Sequence, residues 1–166
     1  MEFATIKEYF YKLQTALFLT LLVPLVTFLA LYTNTDKGLV EGEQSITVIS
    51  FLLFLTAFDA LIGLILFRMK LKSIREQPTL RSRLQHYYSL TIVRSYINII
   101  VCIMPALAFF FTAEVWLVFV FGGVLIFFSL QWPRPGKVCR DLQLKGDERE
   151  MVLYKKDDMG FNTAAK

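Results

Sequence analysis

Four long apolar blocks constrain this chain more than anything else in it. They lie at 13–32, 46–67, 89–111 and 115–132, separated by short polar segments. About 20 predominantly apolar residues in a helix cross a hydrocarbon core about 30 Å thick. Each block therefore predicts a transmembrane helix. Four buried helices of a soluble bundle would each need a polar stripe toward water. Phe51-Leu52-Leu53-Phe54-Leu55 and Leu117-Val118-Phe119-Val120-Phe121 leave no room for one. The first block is also a poor cleavable signal. It is longer than the roughly 7–15 residues of such a core, carries Pro24, and is followed by Tyr32-Thr33-Asn34 where small residues would be needed. Thr5, with Glu8 three residues on, predicts the cap that starts this helix.

The charges between the blocks set orientation. Segment 68–88 holds Arg68, Lys70, Lys72, Arg75, Arg81 and Arg83 against Glu76 alone. Segment 33–45 holds Asp36, Glu41 and Glu43 against Lys37. Of the 18 Lys and Arg, all but Lys37 and Arg94 fall on the side of the two termini and the 68–88 loop. Because basic loops stay in the cytoplasm, both termini and that loop are expected there. The fold class read from the sequence is an all-α integral membrane protein with four transmembrane helices, N-in and C-in. Residues 1–132 form the membrane domain and 133–166 a short cytoplasmic tail. A bacterial inner (cytoplasmic) membrane is the expected location. Trp116 and Trp132 bracket the fourth block, as interfacial belts do, and Phe3, Tyr9, Phe10 and Tyr11 are expected at the headgroup layer.

The 68–88 segment has its own pattern. Phe67, Leu71 and Ile74 are spaced by four and three, and Leu80, Leu84 and Tyr87 repeat that spacing after Gln77-Pro78-Thr79. This predicts that helices two and three run past the membrane and meet at a tight turn. Pro78 breaks the helix and Thr79 caps the next one. The two apolar stripes would face each other, and the six basic residues would face water and anionic lipid headgroups.

The hairpin places two charges at matching depth. Asp59 lies about 18 residues before the turn and Arg94 about 17 after it, so at about 1.5 Å per residue they come level. A charge in the bilayer costs about 2.5–3.5 kcal/mol on insertion scales. An Asp59–Arg94 ion pair is therefore expected, with Thr91 and Asn98 continuing a polar face of the third helix. Such a pair serves either helix register or an ion or solute path. On the second helix Thr56, Asp59 and Gly63 share a face, and small residues at that spacing mark close helix packing in lipid.

Catalytic signatures are missing. Hydrophobic residues make up 55% of the chain and charged residues 19%, which argues against a soluble enzyme. His86 is the sole histidine, and Cys102 and Cys139 form no C-x-x-C. No metal site, cofactor site or catalytic residue is expected. The basic loop is explained by topology and lipid, so no nucleic-acid partner is expected. The expected function is a non-enzymatic subunit, assembly factor or scaffold of a membrane complex, partnered by other membrane subunits or by copies of itself. The alternative is a small ion or solute transporter or channel built on Asp59 and Arg94. The run Met151-Val152-Leu153-Tyr154 is expected to dock on the hairpin or on a partner.

Overall fold

The computed structural model describes residues 3–35, 38–39 and 42–156, and among these the only regular structure is helical. Asp36, Lys37 and Glu41 of the acidic loop, and the tail beyond Lys156, lie outside the described residues. The helices are α1 (Ile6–Asn34), α2 (Glu43–Arg75), α3 (Leu80–Thr112), α4 (Trp116–Leu130), α5 (Pro135–Asp141) and α6 (Gly146–Tyr154). Three of them, α1 to α3, are long and apolar enough to cross a membrane. The number rises to four if α4 and the α5 that follows it are counted as one broken span.

The local signals act as expected. Thr5 Oγ1 accepts the Glu8 amide at 3.1 Å, and Glu8 Oε2 reaches back to accept the Ala4 amide at 2.8 Å. Orphan donors at the α1 start are thereby satisfied. Lys12, one turn on, grips Glu8 at 2.5 Å. At the other end of the hairpin, Gln77 N donates to Ile74 O at 3.2 Å as α2 closes. Pro78 follows, and Thr79 Oγ1 caps α3 by accepting the Ser82 amide at 3.2 Å. α2 and α3 thus run on beyond their apolar blocks and meet at the turn around Pro78, as the spacing predicts.

α4 is shorter than its apolar block. It has 15 residues, about 22 Å of helix. Gln131 N and Trp132 N donate to Phe128 O and Ser129 O in a tightened last turn. Pro133 cannot donate a further helical bond, so the helix closes before Trp132. At its other end Ala113 takes a left-handed φ of 53°, which turns the chain between α3 and α4.

The chain divides into two compact units that interleave along the sequence. One takes 1–18, 66–93 and 133–166, the other 19–65 and 94–132, within the described residues. The tail, set apart in the sequence reading, shares its unit with the start of the chain and the hairpin.

The 19–65/94–132 unit has a core of Phe28, Ile49, Val101, Phe109, Leu117 and Phe121. Phe28 of α1 stacks on Phe121 of α4 with ring centroids 4.1 Å apart. Gly63 of α2 is buried against α3, and a Cβ there would sit 3.2 Å from Ile97 Cγ2. The outward faces stay apolar: Phe54, Leu61, Phe119 and Leu130 are all exposed.

The other unit is built from two matching patterns. Phe3, Ile6, Phe10, Leu13 and Leu17 recur at three and four residues, and all are buried. The hairpin contributes Phe67, Leu71, Ile74, Leu84 and Tyr87, also buried. Phe67 meets Tyr87 edge-on at 6.1 Å, so the two stripes do face each other. Phe3, Tyr9 and Phe10, expected at the headgroup layer, are instead core residues, and only Tyr11 is exposed. Their helical spacing with Ile6 and Leu13 aims them inward. Tyr9 packs edge-to-face between Phe3 and Phe10, each at 5.1 Å.

Candidate functional site

The basic hairpin is where structure and sequence reading part most clearly. Arg75, near the end of α2, donates Nε–H to the Asp141 carbonyl oxygen at 2.7 Å. Tyr87 donates its hydroxyl to Asp141 Oδ2 at 3.0 Å. Arg83 of α3 holds Glu148 of α6 bidentately, at 3.0 and 2.8 Å. Arg75 and Arg83 therefore do not belong to a headgroup-facing set; they fasten α5 and α6 onto the hairpin. Apolar contacts complete the attachment, with Val138 and Val152 fully buried and Leu142 nearly so. Met151 to Tyr154 docks through Val152, while Leu153 and Tyr154 point outward. Of the remaining basic residues, Arg68, Lys70 and Lys72 are exposed and Arg81 is half-buried.

Asp59 and Arg94 are arranged differently from expectation. Arg94 Nη2 donates to Gln131 Oε1, in the turn that ends α4. Asp59 is half-buried and forms no hydrogen bond or ion pair among the described residues. The expected Asp59–Arg94 pair is thus absent there. A neutral amide supplied by Gln131 takes the guanidinium instead. Asn98 is half-buried in the same unit. Thr91 belongs to the hairpin unit, and its buried hydroxyl donates to its own helix at Tyr87 O, 2.8 Å away. Among the described residues Asp59 is bonded to none of the other three.

Other polar groups are locally satisfied. His86 is exposed with Nδ1 2.8 Å from Ser82 O. Cys102 and Cys139 are both buried and free. Cys139 Sγ lies 3.8 Å from Arg149 O, and burial pushes its thiol above the ordinary range against a smaller opposing pull from Arg149. No group of three metal-ligating side chains occurs among the described residues.

A cavity is found in each unit among the described residues. In the 19–65/94–132 unit an apolar groove of about 340 Å³ runs between α2 and α4 over Val101, walled by Leu53, Ala60, Gly123 and Phe127. Its one hydroxyl, on Thr56, donates to Leu52 O at 2.8 Å. The groove therefore offers shape and apolar surface. The hairpin unit has a cleft of about 510 Å³ beside Phe3, His86, Tyr88 and Ser89.

Sequence reasoning missed Asp141, Glu148 and Gln131. Glu148 had a weak signal, since acidic residues favour a helix start and Gly146-Asp147-Glu148 opens α6. The chain matches no family model, no curated protein and no solved structure.

Proposed function

We propose that this is a four-span integral protein of a cytoplasmic membrane, with both termini inside, acting as a non-enzymatic subunit, assembly factor or scaffold of a membrane complex. The observation that carries the proposal is the outward apolar surface of the long helices. Phe18 and Val26 on α1, Phe54 and Leu61 on α2, and Phe119 and Leu130 on α4 are all more than half exposed. Surface of that extent is costly in water and ordinary in lipid. The basic residues gathered at 68–83 and 134–156 support the inward orientation. The scaffold role is supported by the docked tail, which leaves Leu153 and Tyr154 outward on a folded helix. The transporter alternative draws its support from Asp59 facing Arg94, and Arg94 is bonded to Gln131 instead.

Two measurements test this. A cysteine placed at Leu39 should react with an impermeant maleimide in intact cells, and one at Lys156 only after lysis. The reverse pattern rejects the topology. Extraction in mild detergent should then bring down stoichiometric membrane partners; a monomer free of partners rejects the subunit role.

A further inference from the structure

The cleft of about 510 Å³ in the hairpin unit changes chemistry along α3. His86 and Ser89, three apart and both exposed, give it a polar end. Ile92 and Val93, one turn further on, give it an apolar end. Tyr88 lines it as well, with its ring centroid 5.1 Å from that of Phe3, so two tilted aromatic rings share one wall. Among the described residues no lysine, arginine, aspartate or glutamate lines the cleft. Lys12, whose Nζ lies 5.7 Å from the Phe3 ring centroid, is paired with Glu8. A charged ligand would therefore lose hydration without gaining a counter-charge, and the cleft suits a neutral one.

The polar end has open hydrogen-bonding capacity of a definite kind. His86 Nδ1 lies 2.8 Å from Ser82 O. A carbonyl oxygen only accepts, so Nδ1 carries the proton, and in the neutral ring Nε2 is left as an acceptor. Nε2 makes no hydrogen bond among the described residues. The same holds for the hydroxyls of Tyr88 and Ser89. Ser89 does not return its proton to the carbonyl one turn back, as serines within helices commonly do. A ligand hydroxyl can thus donate to His86 and accept from Ser89.

We infer that this cleft binds a neutral amphiphile with a phenolic ring as its head, the chemical class that includes quinols. The ring lies against Phe3 and Tyr88, where edge and face contacts add to simple burial. The hydroxyl donates to His86 Nε2 and accepts from Ser89, and the alkyl chain follows Ile92 and Val93. The site lies wholly within the hairpin unit and depends on neither the membrane topology nor the subunit role proposed above.

The test uses the full chain in maltoside micelles, with 4-hexylphenol carrying a diazirine at its chain end as photoprobe. After irradiation and trypsin digestion, label should concentrate on the peptide 84–94, bounded by Arg83 and Arg94. Unlabelled 4-hexylphenol should displace the probe at roughly fivefold lower concentration than its methyl ether, which fills the same space but has no proton to donate. His86→Ala should erase that difference, the phenol falling to the level of the ether. Ile92→Trp should remove labelling of 84–94 by filling the apolar end. Equal displacement by phenol and ether in the wild type would mean apolar partition alone and overturns the site; this comparison needs no variant, so it stands if one misfolds. Label spread evenly over peptides of the other helices overturns it too, as does a phenol preference that survives His86→Ala.

Discussion

Arg83 of α3 and Glu148 of α6, 65 residues apart in the chain, are joined by two parallel hydrogen bonds of 3.0 and 2.8 Å. The guanidinium is largely buried, with 15% of its side chain exposed, while Glu148 retains 35%. Charge-assisted pairs in this geometry are the strong ones, though exposure on the glutamate side lowers the yield. With Arg75 and Tyr87 both holding Asp141, the pair makes the tail a fastened part of the hairpin unit.

Breaking that pair should loosen the tail. Glu148→Ala is expected to cost about 1–2 kcal/mol of local stability, and Arg83→Ala a similar amount. The double variant should cost less than the two singles added together. Limited trypsin digestion followed by mass spectrometry reads this directly, as faster cutting at Arg140 and Lys145. Additive effects in the cycle would show that the two side chains do not cooperate.

Cys139 reports the same event chemically. It is buried at the foot of the tail and its thiol is held above the ordinary range by burial. In a Cys102→Ala background, maleimide should modify it slowly at neutral pH, and Glu148→Ala should accelerate modification several-fold. Modification at the rate of a free thiol in the unaltered tail would contradict the docking.

Tyr9 is a core residue whose hydroxyl is buried and has no hydrogen-bond partner among the described residues. An unpartnered buried hydroxyl costs about 1–3 kcal/mol, so Tyr9→Phe should hold or raise the melting temperature in detergent. Tyr9→Ala should lower it sharply, costing about 3–5 kcal/mol of stability on core precedent. A Phe variant less stable than wild type would indicate a polar contact at that hydroxyl.

Asp59 and Arg94 should respond unequally. Asp59→Asn removes a charge that makes no bond in the described structure, so stability should stay within about 0.5 kcal/mol or rise. Arg94→Ala leaves Gln131 Oε1 without its donor and should cost about 1–3 kcal/mol. Denaturant titration in mixed micelles measures both. Equal large losses, rescued by exchanging the two charges, would restore the ion pair expected from the sequence.

Gly63 and Gly123 give a matched contrast on α2 and α4. A Cβ at Gly63 would press Ile97 Cγ2 at 3.2 Å, a contact one methyl can relax, so Gly63→Ala should be tolerated. Gly63→Leu should cost about 1–3 kcal/mol by forcing α2 off α3. Among the described residues nothing lies within 4 Å of a Cβ at Gly123, where Ala should be neutral or stabilising. Survival of monodisperse protein after graded heating ranks the three.

Much of this protein is written in short-range chemistry. The four apolar blocks become helices because each residue's helical partner is only four positions away. The Thr5 and Thr79 caps, the Pro78 break and the Phe67–Ile74 and Leu84–Tyr87 stripes act over the same range. The end of α4 was less legible, since apolarity continues to Trp132 while the helix closes at Leu130 under the constraint of Pro133. What periodicity could not supply is the choice of partner. Arg75, Arg83 and Arg94 are long cations able to meet solvent, lipid or any nearby acceptor. Whether each reaches Asp141, Glu148 or Gln131 depends on residues 66, 65 and 37 positions away. Burial of Phe3, Tyr9 and Phe10 likewise required hairpin and tail to close over a helix end that, viewed alone, suits an interface. Helical spacing settled which residues share a face; packing in three dimensions settled what each face meets.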